Sequence, residues 1–477
     1  MDEKNKSYMN GKEFLIPLAW LISACLSFHL SHLGLTAFFP LFFLSLWQIT
    51  KIKSIPIAFI NGIILGFGIY TYHLQFFISI FNHFAYNLFC VLAFWLALFL
   101  AISVWLRRVY SSKTIAWLIP VLYFSLEFIR CELYPLKFSW VIPGLSFSES
   151  SYYSGLGIWG VYGISFFCFL LITFGENWIE KKKLKIIAFV SLCLLCQISS
   201  LMSTSAETEG EGPHITGIQW EMGSHKDILD SLDQALETYP DTKLFFLSEY
   251  SFDEGIPQLI KDWCQVNQRY LLAGTTETIK ESAVINKDVK SIGGKKKKRA
   301  YFNMAMIVDP RGEIIFKQAK VMPIQFFNDG EPAKSQQLWD SPWGKIGIGI
   351  CYDLSYSKIM DELVRQGAQA LLIPTMDVEH WGEQQHKLHG RIAPTRAGEY
   401  GIPVYRVCSS GISQFVDAQG HIQAQGSFIG QGDTFSAKLV MAEQGTRPLD
   451  RFLIYPALII SFLAFLFSFF KAFKKIR

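Results

Sequence analysis

The chain has 477 residues, 51% hydrophobic and 15% aromatic, with only 18% charged and a net charge of +4. A soluble chain is usually nearer a quarter charged, so this composition points to a membrane, and so small a net charge argues against a nucleic-acid partner. No zinc-type Cys/His spacing appears among the nine cysteines and ten histidines, so neither a metal nor another cofactor is implied, and nothing demands a disulfide.

The apolar residues fill 14–202 and 452–470. Eight stretches there are long enough, or nearly so, to cross a bilayer as helices: 14–30, 33–50, 55–72, 86–105, 115–130, 153–174, 186–202 and 452–470. Basic residues follow every even-numbered stretch: Lys51 and Lys53, then Arg107, Arg108 and Lys113, then Lys181, Lys182, Lys183 and Lys185, and finally Lys471, Lys474, Lys475 and Arg477. Positively charged loops stay on the cytoplasmic side, so both termini are expected there, with the segment between the seventh and eighth stretches outside. The expected organisation is a polytopic membrane domain over 1–203, an extracytoplasmic domain over 204–447, and an eighth span with a basic tail over 448–477. Glu127, Arg130, His29, His32 and His73 fall near stretch ends. There, long charged chains and imidazoles ordinarily reach the headgroups.

The polar domain alternates strands with helices. Ile215–Trp220, Lys243–Leu247, Tyr270–Gly274, Met304–Val308, Lys345–Ile350, Ala370–Ile373, Val404–Val407 and Ile412–Asp417 read as strands, and Lys226–Thr238 and Gln258–Asn267 as amphipathic helices. Asp309–Gly312 and Asp417–Gly420 read as hairpin turns, so an α/β sandwich is predicted. Segment 280–299 is a basic insertion, ordinarily a solvated hairpin tip.

Three strand ends carry chemistry. The run Lys345–Ile350 stops at Cys351, ahead of a helix-like segment from Lys358 to Gly367. A thiol at such a turn gains from backbone N–H groups and the positive end of a helix, both of which favour thiolate. Most free cysteines are merely small buried hydrophobes, so the neighbours decide. Glu249 stands where the apolar run Lys243–Leu247 emerges, and partial desolvation there raises a carboxyl toward general-base duty. Lys320, ahead of Pro323, is placed to hold an oxyanion, with Lys317 as a competitor. Thiol, carboxylate and amine together make a nucleophile, a proton shuttle and a charge stabiliser for acyl transfer.

Glu, Lys and Cys in this order, within Lys320-Val-Met-Pro and Gly349-Ile-Cys-Tyr-Asp353, resemble the catalytic triad of the nitrilase superfamily. Eight spans around such a domain resemble one membrane-embedded family, the apolipoprotein N-acyltransferases. Trp159–Ser165, Tyr301-Phe-Asn303 and Arg396–Pro403 followed by Arg406 are similar to that family's segments. The chain departs from the family at Asp353, where Glu is usual, and at Ser248-Glu249-Tyr250. It departs again in the loop from Met322 to Glu331, and at Met376–Gly382, which replaces an Asn-Asp-x-Trp-Phe-Gly stretch.

The resemblance implies an αββα nitrilase-like sandwich on the periplasmic side of a bacterial inner membrane. It implies a ping-pong acyl transfer through a Cys351 thioester, from a phospholipid donor to the α-amino group of a diacylated apolipoprotein, by a monomer. Glu249, Lys320 and Cys351 would be catalytic, and the Tyr352 N–H would assist the oxyanion. Asp353 would support the nucleophile, and Glu331 would be the acid beside Lys320, with Asp329 competing. Trp220, Trp381, Tyr356 and Trp140, in the loop Glu132–Tyr153, are candidates for substrate contact, against the plainer reading that each packs a core. Two alternatives stand beside it: a membrane-tethered amidase whose thioester is resolved by water, and a catalytically inactive envelope scaffold.

Overall fold

The computed structural model describes residues 11–150, 155–201, 211–221, 223–279 and 300–476, so the basic insertion 280–299 lies outside the described residues. The chain divides into two compact units, residues 1–203 with 448–477, and residues 204–447.

The first unit is helical. It contains α1 (Gly11–His32), α2 (Phe39–Ile49), α3 (Ile55–His73), the short α4 (Phe76–Phe81), α5 (Phe84–Arg107), α6 (Ser112–Phe128), α7 (Leu156–Trp178) and α8 (Lys182–Leu201). Its last helix, α14 (Asp450–Ile476), comes from the far end of the chain. Each of the eight apolar stretches is helical over most of its described residues. Six of these helices are long and apolar enough to cross a membrane: α3, α5, α6 with the π turn that extends it to Leu133, α7, α8 and α14. The segment Thr36–Ile49 is shorter.

Helices α3 and α5 approach so closely that a Cβ on Gly62 would meet the Ala97 backbone at 2.3 Å, and one on Gly66 the Ala93 Cα at 2.5 Å. Small residues let the two backbones touch, which is how apolar helices associate where lipid removes the hydrophobic drive between them. Large apolar side chains stand exposed along α14, among them Tyr455, Ile459 and Phe462. Such a surface suits lipid, not water.

Polar groups inside this unit pair with one another and do not reach toward headgroups. Arg130 is buried and donates to the carbonyls of Phe138 (3.0 Å) and Val141 (3.3 Å), while buried Glu127 accepts from the Tyr123 hydroxyl at 3.0 Å. His29 and His73 bond ring to ring at 3.0 Å, and His32 is buried against Phe28. The expected snorkelling is therefore replaced by internal bonding, which pins the loop after α6.

The second unit is a sandwich of two six-stranded sheets. One runs β12-β1-β2-β3-β4-β5 and the other β11-β10-β9-β8-β7-β6. The first holds β1 (His214–Gln219), β2 (Thr242–Leu247), β3 (Tyr270–Thr278), β4 (Tyr301–Val308), β5 (Ile314–Ala319) and β12 (Asp433–Lys438). The second holds β6 (Leu338–Ser341), β7 (Gly344–Ile348), β8 (Ala370–Thr375), β9 (Val404–Cys408), β10 (Gln414–Val416) and β11 (Ile422–Gln425).

Alternation along β2 shows why the layers form. Leu244 and Phe246 enter the core shared with Ile346, Ile348, Leu372 and Val407 of the second sheet. Phe245 and Leu247 point the other way, onto α9 (His225–Thr238) and α10 (Gln258–Asn267) through Leu232 and Trp263. Period two thus feeds two different interfaces from one strand. Helix α11 (Ser357–Arg365) covers the outer face of the second sheet, where Gly347 and Gly349 lie against Leu363 and Met360. The short helices α12 (Glu383–Gly390) and α13 (Ile392–Tyr400) precede β9. The result is the expected αββα layering.

Candidate active site

Glu249, Lys320 and Cys351 follow the ends of β2, β5 and β7. These are not successive strands: β3 and β4 separate the first two, and Cys351 comes from the opposite sheet. Because β2 and β3 run parallel, and β4 and β5 each reverse direction, the ends of β2 and β5 and the start of β4 share one edge. Asn303, third in β4, therefore joins the site.

Its centre is a buried ionic cluster. The Lys320 ammonium lies 2.8 Å from Glu249 Oε1 and 2.7 Å from Asp329 Oδ2. Asn303 Nδ2 donates to Glu249 Oε1 (2.6 Å) and Asp329 Oδ1 (3.0 Å), tying the two carboxylates together. Asp329 also accepts from the Tyr250 hydroxyl at 2.7 Å and the Ile324 N–H at 2.7 Å. The acid beside Lys320 is thus Asp329 and not Glu331, whose side chain is exposed while its own N–H bonds the Tyr301 carbonyl at 2.8 Å. A loop that places Phe326 at φ +71° folds Asp329 back over Lys320. Lys317, the competitor, pairs with Glu277 in an exposed bridge.

Burial raises the Glu249 carboxyl, opposed by the Lys320 charge beside it. Burial alone would lower Lys320, but Glu249 and the other acidic groups around it carry its pKa well above the ordinary lysine value. One ammonium between two carboxylates keeps its proton.

Cys351 has φ +50°, a conformation that costs a non-glycine residue about 1–2 kcal/mol and that turns its side chain sharply off the strand. A 3-10 turn, Cys351–Ser355, separates it from α11, so the helix end is not at the sulfur. The thiol is buried, and burial first, then the Glu249 charge, pushes it well above the usual thiol range. Burial thus opposes the thiolate that the turn was expected to favour, and Cys351 Sγ lies 3.8 Å from the Met376 carbonyl. Met376 also donates its N–H to Glu249 Oε2 at 2.8 Å, so one residue touches both the thiol and the carboxylate.

Asp353 fastens this turn to its neighbour. Its carboxylate accepts from Ile350 N (3.0 Å), Val321 N (3.1 Å) and Met322 N (2.7 Å), which crosslinks the Cys351 turn to the turn after Lys320. Burial lifts its pKa to about 6 against these donors. Arg396 closes the other side, donating to Leu354 O (3.0 Å), Ser355 O (2.8 Å) and Ser357 Oγ (3.1 Å) while paired with Glu399.

The aromatic candidates divide. Trp220, half-exposed, lines a cavity of about 420 Å³ with Glu221, Glu249, Tyr250, Met376 and Ser409. Trp381 is buried with its ring centroid 6.0 Å from that of Phe327, in the loop that carries Asp329. Tyr356 is buried edge-on to Tyr352, with centroids 5.0 Å apart, so the two rings pack on each other in the core. Trp140 belongs to the helical unit, where it is buried against Phe76 and Phe138.

Sequence reasoning passed over a second buried cluster. Asp377, next after Met376, pairs with Arg406, and His389 Nδ1 lies 2.8 Å from Asp377 Oδ1. Gln385 Nε2 donates to Asp377 Oδ1 at 2.9 Å. Asp377 and Arg406 had appeared only as parts of longer motifs, with no partner assigned.

Two family models match the chain. That of the apolipoprotein N-acyltransferase N-terminal domain covers residues 18–173, and that of the carbon-nitrogen hydrolases covers residues 235–443. The apolipoprotein N-acyltransferase of Geobacter metallireducens is 23% identical over 171 residues, 32% of each chain, so the match spans about a third of that relative. The one from Pasteurella multocida is 23% identical over 411 residues, 76% of each chain. Among solved structures, a carbon-nitrogen hydrolase from Helicobacter pylori is 18% identical with a TM-score of 0.39, covering 48% of this chain and 89% of that one. With a helical unit matched by the first model and a sandwich matched by the second in one polypeptide, the chain belongs to the apolipoprotein N-acyltransferase family, within the nitrilase superfamily.

Proposed function

We propose that the protein transfers a fatty acyl chain from a phospholipid, through a thioester on Cys351, to the α-amino group of a diacylglyceryl-cysteine at a lipoprotein N-terminus. One observation carries this reading. A buried Glu249–Lys320–Cys351 site lies in a sandwich carried on the same polypeptide as the segment that the N-terminal family model matches.

In the first half-reaction Glu249 accepts the thiol proton as the sulfur attacks the ester carbonyl. The resting thiol needs this base, because burial disfavours the free thiolate. Lys320, held protonated by Glu249 and Asp329, meets the developing oxyanion together with the Tyr352 N–H. The C–O bond breaks, the lysophospholipid leaves with the proton returned by Glu249, and the thioester remains. The amine then attacks the thioester carbonyl, a C–N bond replaces the C–S bond, and Glu249 carries the amine proton to the departing sulfur.

Both substrates are lipid-anchored, which gives the helices a purpose that a soluble amide substrate would not. Basic residues after alternate apolar stretches support an inner-membrane helical unit of eight spans, with both termini cytoplasmic and the catalytic domain in the periplasm; the protein acts as a monomer. Intact mass of the purified protein in phospholipid tests the reading. Wild type should gain a fatty-acyl increment that Cys351→Ala lacks, and a diacylated lipopeptide should discharge it into an N-acylated product. Discharge to water without lipopeptide product would make it an amidase or hydrolase. No increment with accessible phospholipid would leave the scaffold.

A further inference from the structure

The cluster behind Met376 is not used by the chemistry above, yet its side chains are buried as deeply as the Glu249–Lys320 pair. Asp377, His389 and Arg406 have side chains between 0% and 1% exposed. The Asp377 carboxylate accepts from Gln385 Nε2 at 2.9 Å and from the Arg406 guanidinium. His389 Nδ1 stands 2.8 and 3.0 Å from its two oxygens, so the tautomer with hydrogen on Nδ1 is the one that bonds. Arg406 also donates to the Ile412 carbonyl at 2.7 Å. Space for the carboxylate exists because residue 411 is glycine: a Cβ there would sit 2.6 Å from Asp377 Cβ and 2.7 Å from Oδ2.

The main chain around Asp377 is tied equally closely. Its N–H donates to Ser409 Oγ at 3.2 Å, and its carbonyl accepts from the same hydroxyl at 3.0 Å and from Ser410 N–H at 3.1 Å. The Asp377 N–H belongs to the amide whose oxygen is the Met376 carbonyl facing Cys351, and the preceding amide holds Glu249 Oε2. Fixing Asp377 therefore fixes both contacts.

We infer that Asp377, clamped by Arg406 and His389, is the positioning residue of the acyl-transfer site. It orients the Met376 peptides that align the Glu249 base and the Cys351 thiol, while Arg406 cancels its charge next to the sulfur. The inference rests on the acyl-transfer reading of Cys351. Its electrostatic half follows from the groups facing the thiol. Glu249, Asp377 and Asp329 disfavour thiolate, and Lys320 favours it. Arg406 interacts with Cys351 as well, and His389, lowered by burial and by Arg406 to about 4, is neutral near pH 7. Removing Asp377 alone leaves a cation by the sulfur. Removing Arg406 alone leaves an anion.

The test compares Asp377→Asn, Arg406→Gln and His389→Gln in the full-length protein in phospholipid-containing micelles. Two quantities are read: iodoacetamide alkylation of Cys351 against pH, and the rate of acyl-enzyme formation by intact mass. Asp377→Asn should move the alkylation midpoint to lower pH and Arg406→Gln to higher pH, in opposite directions. Both should slow acylation by about 10- to 100-fold, Asp377→Asn even though its thiolate fraction is larger. His389→Gln preserves the charge balance, so it should slow acylation and leave the midpoint in place.

Midpoints moving together or not at all in folded variants would overturn the inference, as would unchanged acylation. If Asp377→Asn does not fold, the other two decide: Arg406→Gln must raise the midpoint and His389→Gln must not. Opposite midpoint shifts with no acylation in any protein, wild type included, would defeat the proposed function while leaving the placement of the thiol intact.

Discussion

Two buried ionic clusters flank Met376, and they differ in charge balance and in access. On one side Lys320 alone serves Glu249 and Asp329, at 2.8 and 2.7 Å, and Glu249 borders a cavity. On the other, Asp377 meets one guanidinium and a neutral imidazole, sealed from solvent. An unbalanced cluster beside a cavity has a proton to give or take. A balanced and sealed one has none, and its value is that its members cannot move. Buried pairs add little net stability once desolvation is counted, so position is what such a pair supplies.

The contrast breaks most visibly if the unbalanced cluster proves dispensable. Cys351→Ala should form no acyl-enzyme, and Glu249→Gln should slow acylation on the order of 10³-fold, the effect of losing a positioned general base. The same base sets the pH dependence. Glu249 must be unprotonated to take the thiol proton, and burial raises its pKa, so acylation should fail on acidification at a higher pH than an exposed carboxylate would dictate. Lys320 must be protonated and its pKa is raised, so no loss from it is expected through mildly alkaline pH. Single-turnover acylation rates against pH check both limbs; an acid limb at the ordinary carboxylate pKa would refute the assignment of the base.

Balanced pairs should speak through stability. Arg396, buried with Glu399, holds three acceptors of the segment after Cys351. Arg396→Leu strands the Glu399 carboxylate and should cost about 3–5 kcal/mol, read as a lowered unfolding midpoint of the detergent-solubilised protein. A midpoint within a degree or two of wild type would mean that Glu399 finds another partner.

How much of this was legible follows from how local each signal is. The eight apolar stretches became helices over most of their described lengths, because runs of 16 to 22 mostly apolar residues state their own structure. The eight strands read from alternation are present, and so is β5, whose end was read at Lys320. β6, β11 and β12 were missed: the first two are four residues long, and β12 is the polar run Asp433–Lys438, recognisable only by its antiparallel pairing with β1 more than two hundred residues earlier. α13 was missed because all nine of its residues are buried, which leaves no amphipathic period to see. In the site, strand ends announced Glu249, Lys320 and Cys351. Asn303 was quoted only as part of a motif. The Asp377 cluster was invisible, since His389 and Arg406 lie 12 and 29 residues away and only the fold brings them together. The burial of the thiol was illegible for a related reason: it depends on every neighbour, and sequence shows only two.

The smallest expected effects separate two carboxylates that sequence could not tell apart. Asp329 bonds Lys320, Asn303, Tyr250 and the Ile324 N–H, whereas Glu331 keeps its side chain exposed and donates its backbone N–H to the Tyr301 carbonyl. Asp329→Asn keeps the shape but removes the charge. Losing one charge-assisted bond, worth about 1.5–3 kcal/mol, should slow acylation about 10- to 100-fold. It also leaves Lys320 with a single carboxylate, so its pKa should fall and an alkaline limb should enter the measurable range. Glu331→Gln removes a solvated charge and should change the rate less than twofold, with no new limb. Equal losses in the two variants would mean that the loop closes differently over substrate, bringing Glu331 to Lys320 during turnover. A loss confined to Asp329→Asn makes the unbalanced cluster, one ammonium between two buried carboxylates, the form in which the enzyme works.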